Sequence, residues 1–539
     1  MMKRFSTIAL AVSLTACGGS DNGGGIAGTT STPNSSTAQV MTTVPPGTPA
    51  SPATAANPAD PAAGTPATSV PPLAQAATPS GTPTAATPPL AADTPPADAA
   101  ATAFFVNAYQ AGLAEIQISQ LAATRAEDEN VREYAQQVLA HHTLLNGEIQ
   151  KIAQAKQVTL PTSISQERTA DVTALTALSG LNFDRYYMAL NVNAHRASVA
   201  SALRAGASTN DDNVRVFSVS VLPIYKTHLV FAEDILNQLD PAAFVATIHQ
   251  SSQAEVAWAQ LALERASDAG VRRYAQKMVT EHTAANERIS SFARDKQLPL
   301  PGDLNEEQQA VTEDLSRFSG ADFDRAYMDV NVISHLRAVR YARSQLGSSG
   351  RDVDVRELAR ELEPELAGHL ANAAEQARLI EPSFAYRAYQ ANLAEVSLAY
   401  LATARSTDSG VIGYAQRMIG EHLPVVAQLR QQAATSSTPL PVEVSPEAML
   451  AFGTLLVIDD GLFNAGYAAY NARLHNKAIE LFTEETLRPD STATQAFAQT
   501  LLPTLTAHRD EARTLRSRFA PQVLELIQRL PAFAGTSMM

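Results

Sequence analysis

The sequence holds one cysteine and one tryptophan in 539 residues, aromatic residues make up only 6%, and basic residues number 40 against 54 acidic ones. The lone cysteine, Cys17, excludes an intramolecular disulfide and any metal or redox site that needs a second thiolate. A formal charge of -14 with no basic stripe excludes a nucleic-acid partner, which would need Lys and Arg to neutralise phosphates. Past the leader there is no uncharged run of about twenty apolar residues, the length that spans a bilayer. Strand-type alternation, a phosphate-cradling glycine loop and a Ser-His-Asp order are all missing.

What the sequence does have is repetition. Tyr134-Ala135-Gln136 leads to His142, Tyr274-Ala275-Gln276 to His282, and Tyr414-Ala415-Gln416 to His422, each copy displaced by 140 residues. Glu115, Glu255 and Glu395 upstream, and Phe183, Phe323 and Phe463 downstream, keep the same interval. Nine of the eleven histidines fall into three equivalent sets; His141 and His249 stand outside them. The chain is a triplicated domain, with repeats at 101–240, 241–381 and 382–525, each large enough for its own core.

Residues 1–16 read as an export signal: Lys3 and Arg4, then the apolar Ile8–Val12 run, then Leu14-Thr15-Ala16 before Cys17. This resembles the bacterial lipoprotein signal, which implies lipidation of Cys17. Residues 17–100 carry 16 of the 31 prolines and no Lys, Arg or aromatic residue, a composition that predicts a disordered tether. Gly18 and Gly19 follow the cysteine where inner-membrane retention prefers Asp, so the expected location is the outer membrane, facing the periplasm or the surface. Expected partners are the membrane, through the lipid, and other envelope proteins; no small-molecule substrate can be named.

Each repeat predicts four long amphipathic helices joined by short connections. The first carries Phe104, Ala108, Ala111, Glu115, Ile118 and Ala122 on one stripe, and so places a carboxylate in a buried seam. The second carries Tyr134, Val138, His142, Leu145 and Ile149; Glu281 and Glu421, one residue before their histidines, point about 100° away and read as surface charges. The third aligns Phe183, Asp184, Tyr187, Asn191 and His195, and the fourth contains a proline five residues before His228, His369 and His508. Pro424, two residues after His422, predicts that this histidine is displaced and that the third repeat is the weakest site.

These blocks resemble the ferritin-like bacterial domain of unknown function 4142, three times over. The resemblance implies an all-α protein of three tandem ferritin-like up-down four-helix bundles after the tether, and brings no activity. One Glu and three His per repeat, from four helices, form the candidate ligand sets: Glu115, His142, His195 and His228; Glu255, His282, His335 and His369; Glu395, His422, His475 and His508. Such a set suits Zn²⁺, Cu²⁺ or Fe²⁺. The Glu-x-x-His pairs of a di-iron oxidase are missing at these histidines. The preferred reading is a non-enzymatic envelope lipoprotein that binds a divalent metal in each bundle. The others are a structural or stress-protective scaffold with an architectural His/Glu network, and a metal-dependent oxidoreductase.

The anchor has its own test. Cys17→Ser should leave the folded domains intact and move the protein from the membrane fraction to the soluble one; retention of the variant in membranes washed with high salt would rule out lipid anchoring.

Overall fold

The computed structural model describes residues 97–209, 211–347, 352–488 and 492–529. The expectations for the leader, for Cys17 and for the tether as far as residue 96 lie outside the described residues. All secondary structure among the described residues is helical. The first repeat contains α1 (Ala99–Arg125), α2 (Glu129–Ala155), α3 (Gln166–Ala177), α4 (Gly180–Ser208) and α5 (Asp212–Leu239). The second contains α6 (Pro241–Arg265), α7 (Ala269–Asp295), α8 (Glu306–Leu315), α9 (Gly320–Gly347) and α10 (Val353–Leu379). The third contains α11 (Phe384–Arg405), α12 (Ser409–Thr435), α13 (Pro446–Val457), α14 (Asp460–Thr486) and α15 (Thr492–Arg518), followed by α16 (Ala520–Arg529).

Local chemistry sets the helix ends. Asp128, Asp268 and Asp408 cap the second helix of each repeat, accepting from the backbone N–H of Val131, Val271 and Val411. The same helices stop where Gln157, Gln297 and Ser437 adopt positive φ, just ahead of a Leu-Pro pair that cannot continue them. Pro223, Pro364 and Pro503 lie inside helices that run on through them, as does Pro424.

Short connections are found between the first and second long helices and between the third and fourth, but not in the middle. Asp184, at the start of α4, accepts from the backbone N–H groups of Glu127 and Asp128, at the start of α2. The two helices therefore begin at the same end and run parallel. The chain returns between them alongside α1: Gln110 donates to the Ser163 carbonyl, and Arg125 donates to the carbonyls of Thr176 and Leu178. The second repeat does the same through Gln250 to Asp303 and Trp258 to Thr312. A single long crossover between two antiparallel hairpins is the ferritin-like connection, and here it carries the short helices α3, α8 and α13.

The core of each bundle is aromatic and small. Phe105, Phe183 and Tyr187 are fully enclosed in the first repeat, and Phe244, Phe323 and Tyr327 in the second. The α1 stripe sits one residue on from its expected place at its N-terminal end, with Phe105 and Tyr109 buried and Phe104 and Ala108 half-buried. By length and composition Val214–Leu239 could cross a membrane, but 67% of its most apolar window is buried inside the protein, as a core helix requires.

The first and second repeats meet through buried charge. Glu233 on α5 accepts from Arg196 of its own repeat and from Arg337 and Tyr341 of α9, while Arg337 also holds Glu307 and Arg340 holds Asp234. Burial opposes ionisation of Glu233, but the guanidinium groups of Arg337 and Arg196 outweigh it and bring its pKa down to about 2. Removing one partner of such a set leaves buried charge uncompensated. Glu233→Ala should therefore cost about 3–5 kcal/mol in chemical denaturation, whereas Glu363→Ala, which loses only the bridge to exposed Arg343, should cost about 0–1 kcal/mol.

Candidate metal centre

The nine repeat-equivalent histidines converge in three triads: His142, His195 and His228; His282, His335 and His369; His422, His475 and His508. In each triad one ring nitrogen per residue lies within 4.8 Å of the other two, and all nine residues are buried. The rings come from the second, third and fourth long helices, halfway along the bundle. His422 is not displaced by Pro424: its ring centroid stands 5.6 Å from that of His475, against 5.5 Å for His142 to His195 and 5.4 Å for His282 to His335. The proline sits in the turn after the histidine, and α12 accommodates it without moving the imidazole.

Proton positions follow from the groups each ring touches. His335 Nδ1 lies 2.9 Å from the Asn331 carbonyl, which can only accept, so Nδ1 carries the proton and Nε2 is bare. Ser252 Oγ lies 3.0 Å from His282 Nδ1 and 3.2 Å from the His282 carbonyl; with its proton on the carbonyl it accepts from Nδ1 and leaves that Nε2 bare as well. His369 Nε2 lies 2.5 Å from a carboxylate oxygen of Glu281, which places the proton on Nε2 and bares Nδ1. Three lone pairs then face one point. In that state the Nε2 atoms of His282 and His335, 3.2 Å apart, are both bare.

The third repeat reaches the same state with different partners. His475 Nδ1 donates to the Asn471 carbonyl at 3.0 Å, His422 Nδ1 to Asn392 Oδ1 at 2.8 Å, and His508 Nε2 to Glu421 at 2.8 Å. The inner atoms His422 Nε2, His475 Nε2 and His508 Nδ1 are buried without a hydrogen-bond partner. The first repeat differs: His228 Nε2 faces His141 Nδ1 at 2.8 Å and either ring can donate. If His141 donates, His228 Nδ1–H points at His195 Nε2, 3.2 Å away, and the network closes on itself.

Glu281 and Glu421 are thus not idle surface charges. Although part of each is exposed, the other part reaches the fourth-helix imidazole, and His141 fills the same place in the first repeat. The 100° offset refers to the stripe of their own helix, whereas the carboxylate bridges sideways to the neighbouring one. A signal was present in the sequence: His141, Glu281 and Glu421 are equivalent positions, and all three can accept from an imidazole.

The buried glutamates stand behind the triads. Glu255 Oε1 is 3.6 Å from His335 Nδ1, and Glu395 Oε1 is 3.2 Å from His475 Nδ1, at the ring edge opposite the converging Nε2. Glu115 Oε2, Glu255 Oε2 and both oxygens of Glu395 are buried without a hydrogen-bond partner. Asp184 and Asp324 are spent on the loop that opens the second helix, where Asn464 accepts from Ser406 in the third repeat.

Burial sets the charge states. It raises Glu115 to about 8 against the pull of Arg168, raises Glu255 to about 8 against the Ser334 hydrogen bond, and lifts Glu395 well above the carboxylate range. It lowers His195 and His475 to about 4 and His335 to about 3, and pushes His142, His228, His282, His369 and His422 down as well.

Stability follows by linkage. For the imidazoles the folded pKa is depressed, so their contribution is full above 6.5 and is lost as pH falls through their folded values near 4. For the glutamates the folded pKa is raised, so their contribution is full below 4.5 and is lost as pH rises through about 8. Eight imidazoles outweigh three carboxyls. The melting temperature of metal-free protein should therefore fall steeply from pH 6.5 to 4 and decline more gently as pH rises from 6.5 to about 8, as read by calorimetry; a flat profile across the acid range would contradict the buried neutral triads.

Comparison with known proteins adds the family. A model described as Domain of unknown function (DUF4142) matches residues 85–235, 236–376 and 371–515. No curated protein and no solved structure matches the chain. Each match contains one complete triad with its glutamate. The chain therefore belongs to the DUF4142 family, whose domain it carries in three tandem copies.

Proposed function

We propose that each repeat binds one divalent transition-metal ion on its three imidazoles, and that the chain carries these centres in the bacterial envelope on a lipid anchor at Cys17, as a binding protein and not as an enzyme. The observation that carries the metal reading is the proton count. In the third repeat every outer ring nitrogen is committed as a donor, and in the second the same holds when Ser252 gives its proton to the His282 carbonyl, so three bare nitrogens converge with nothing to share. Only a cation satisfies all three. Imidazoles around a tetrahedral Zn²⁺ at 2.0–2.1 Å stand about 3.3 Å apart, and inner nitrogens here approach to 3.2 Å in the second repeat and to 3.2 and 3.4 Å in the first.

Three imidazoles suit Zn²⁺, Cu²⁺ and Fe²⁺, and geometry more than raw affinity would choose among them. We assign Glu281 and Glu421 to orienting the fourth-helix imidazole and raising its basicity, as carboxylates do behind metal-bound histidines. Glu255 and Glu395 stand beside the third-helix imidazole, where a proton can leave once the ion's charge arrives. The architectural reading is favoured at one place only, the first repeat, where His141 allows a closed hydrogen-bond network with no ion. Envelope location rests on the leader, the lone cysteine and the proline-rich tract.

Full-length protein without a His-tag, equilibrated with Zn²⁺ at neutral pH and desalted, should retain three ions per chain, and His282→Ala should retain two. Glu281→Gln and Glu421→Gln should each weaken one site by about 10–100-fold in competition with a chelator. The site left in the His335→Ala/His475→Ala double variant, that of the first repeat, should be the weakest of the three. Folded protein that retains no ion would sink the metal reading.

A further inference from the structure

In the second repeat two of the three imidazoles, those of His282 and His335, line a cavity. Ser252, Glu255, His282, Ala285, Ser334 and His335 line about 30 Å³ of space. One water needs about 10–15 Å³, so the space suits a ligand of two or three heavy atoms. Ser251 and Ser334 line this cavity and also a larger one, of about 80 Å³, whose walls include Lys226 of the first repeat and Tyr386 of the third. The two serines are the boundary between an inter-repeat space and the triad.

The other repeats carry bulkier or purely apolar groups at these places. Ser251, Ala285 and Ser334 correspond to Ala111, Leu145 and Ala194 in the first repeat and to Ala391, Val425 and Leu474 in the third. Leu145 is buried in its core, and Val425 and Leu474 pack against theirs. Neither repeat has a hydroxyl where Ser334 donates to Glu255 Oε1. The other oxygen, Oε2, is buried with no hydrogen-bond partner, on a residue that lines the cavity.

We propose that the centre of the second repeat accepts an exogenous ligand on its metal, while those of the first and third are closed. The ligand is a small anion or water-sized donor of two or three heavy atoms. It enters from the inter-repeat cavity past Ser251 and Ser334, takes the position on the ion that three histidines leave open, and meets the free oxygen of Glu255. Three neutral imidazoles leave the ion's double positive charge uncancelled, which favours an anion at that position. The proposal rests on the metal reading above and adds to it that one centre of three is of the open kind.

The test uses full-length protein loaded with Co²⁺, whose visible spectrum reports coordination, and azide as the probe. With three cobalt ions bound, azide should change the spectrum of one in three and saturate as a single site. Ser334→Leu, which imports the third repeat's side chain, and Ala285→Leu, which imports the first repeat's, should each abolish the response while three cobalt ions stay bound. Ser334→Ala should keep it. No azide response with three cobalt ions bound, a response from all three, or an undiminished response in both leucine variants would overturn the proposal alone; absence of bound cobalt would remove the metal reading with it.

Discussion

A hydrogen bond within one helix determines what the centre of each bundle can be. Nδ1 of His195, His335 and His475 lies 2.9, 2.9 and 3.0 Å from the carbonyl of the asparagine four residues earlier. Helical side chains lean toward the N-terminus, which brings the ring onto that carbonyl. A carbonyl only accepts, so the tautomer is fixed by the backbone and Nε2 is presented inward without a proton. The asparagine side chain secures the turn by donating to the carbonyl of Tyr187, Tyr327 or Tyr467. Whatever else approaches the inward nitrogen must be a donor or a cation.

The ferritin-like connection decides what approaches. Because the second and third long helices run parallel, with the crossover returning alongside the first, the second and fourth helices become neighbours across the bundle. That adjacency brings the carboxylates of Glu281 and Glu421 to the fourth-helix imidazoles and sets their tautomer from outside. Ser252 and Asn392, on the first helix, do the same for the second-helix imidazoles. In the first repeat the position of Ser252 and Asn392 is Gly112, and Asn146 occupies the space a side chain there would need. Its His141 and its Gly112 make the first triad the one least committed to an ion.

Much of this was legible in the sequence. The 140-residue interval, the helical spacing and the inward placement of Glu115, His142, His195 and His228 follow from periodicity alone, because burying an apolar stripe fixes which face of a helix looks inward. The direction of the crossover was not legible. It depends on Asp184 capping a loop 56 residues away, a pairing that no local pattern encodes. Pro424 misled because a helix-interior penalty says nothing about which neighbouring side chains move, and here the imidazole one turn back stays in its triad. The cavity beside Glu255 was hidden for a related reason: Ala285 and Ser334 look unremarkable singly, and matter only because Leu145 and Leu474 fill those places elsewhere.

The account depends on where the imidazole protons sit before any metal arrives. Long-range ¹⁵N–¹H correlation spectra of metal-free protein, with histidine labelled and the nine triad residues assigned by single substitutions, read each tautomer directly. The structure predicts a proton on Nδ1 and none on Nε2 for His195, His335, His475, His282 and His422, and the reverse for His369 and His508, so that both complete triads present three bare nitrogens. A proton on an inward nitrogen in the second or third repeat, shared with its neighbour as a hydrogen bond, would contradict the account and leave those triads as self-satisfied packing.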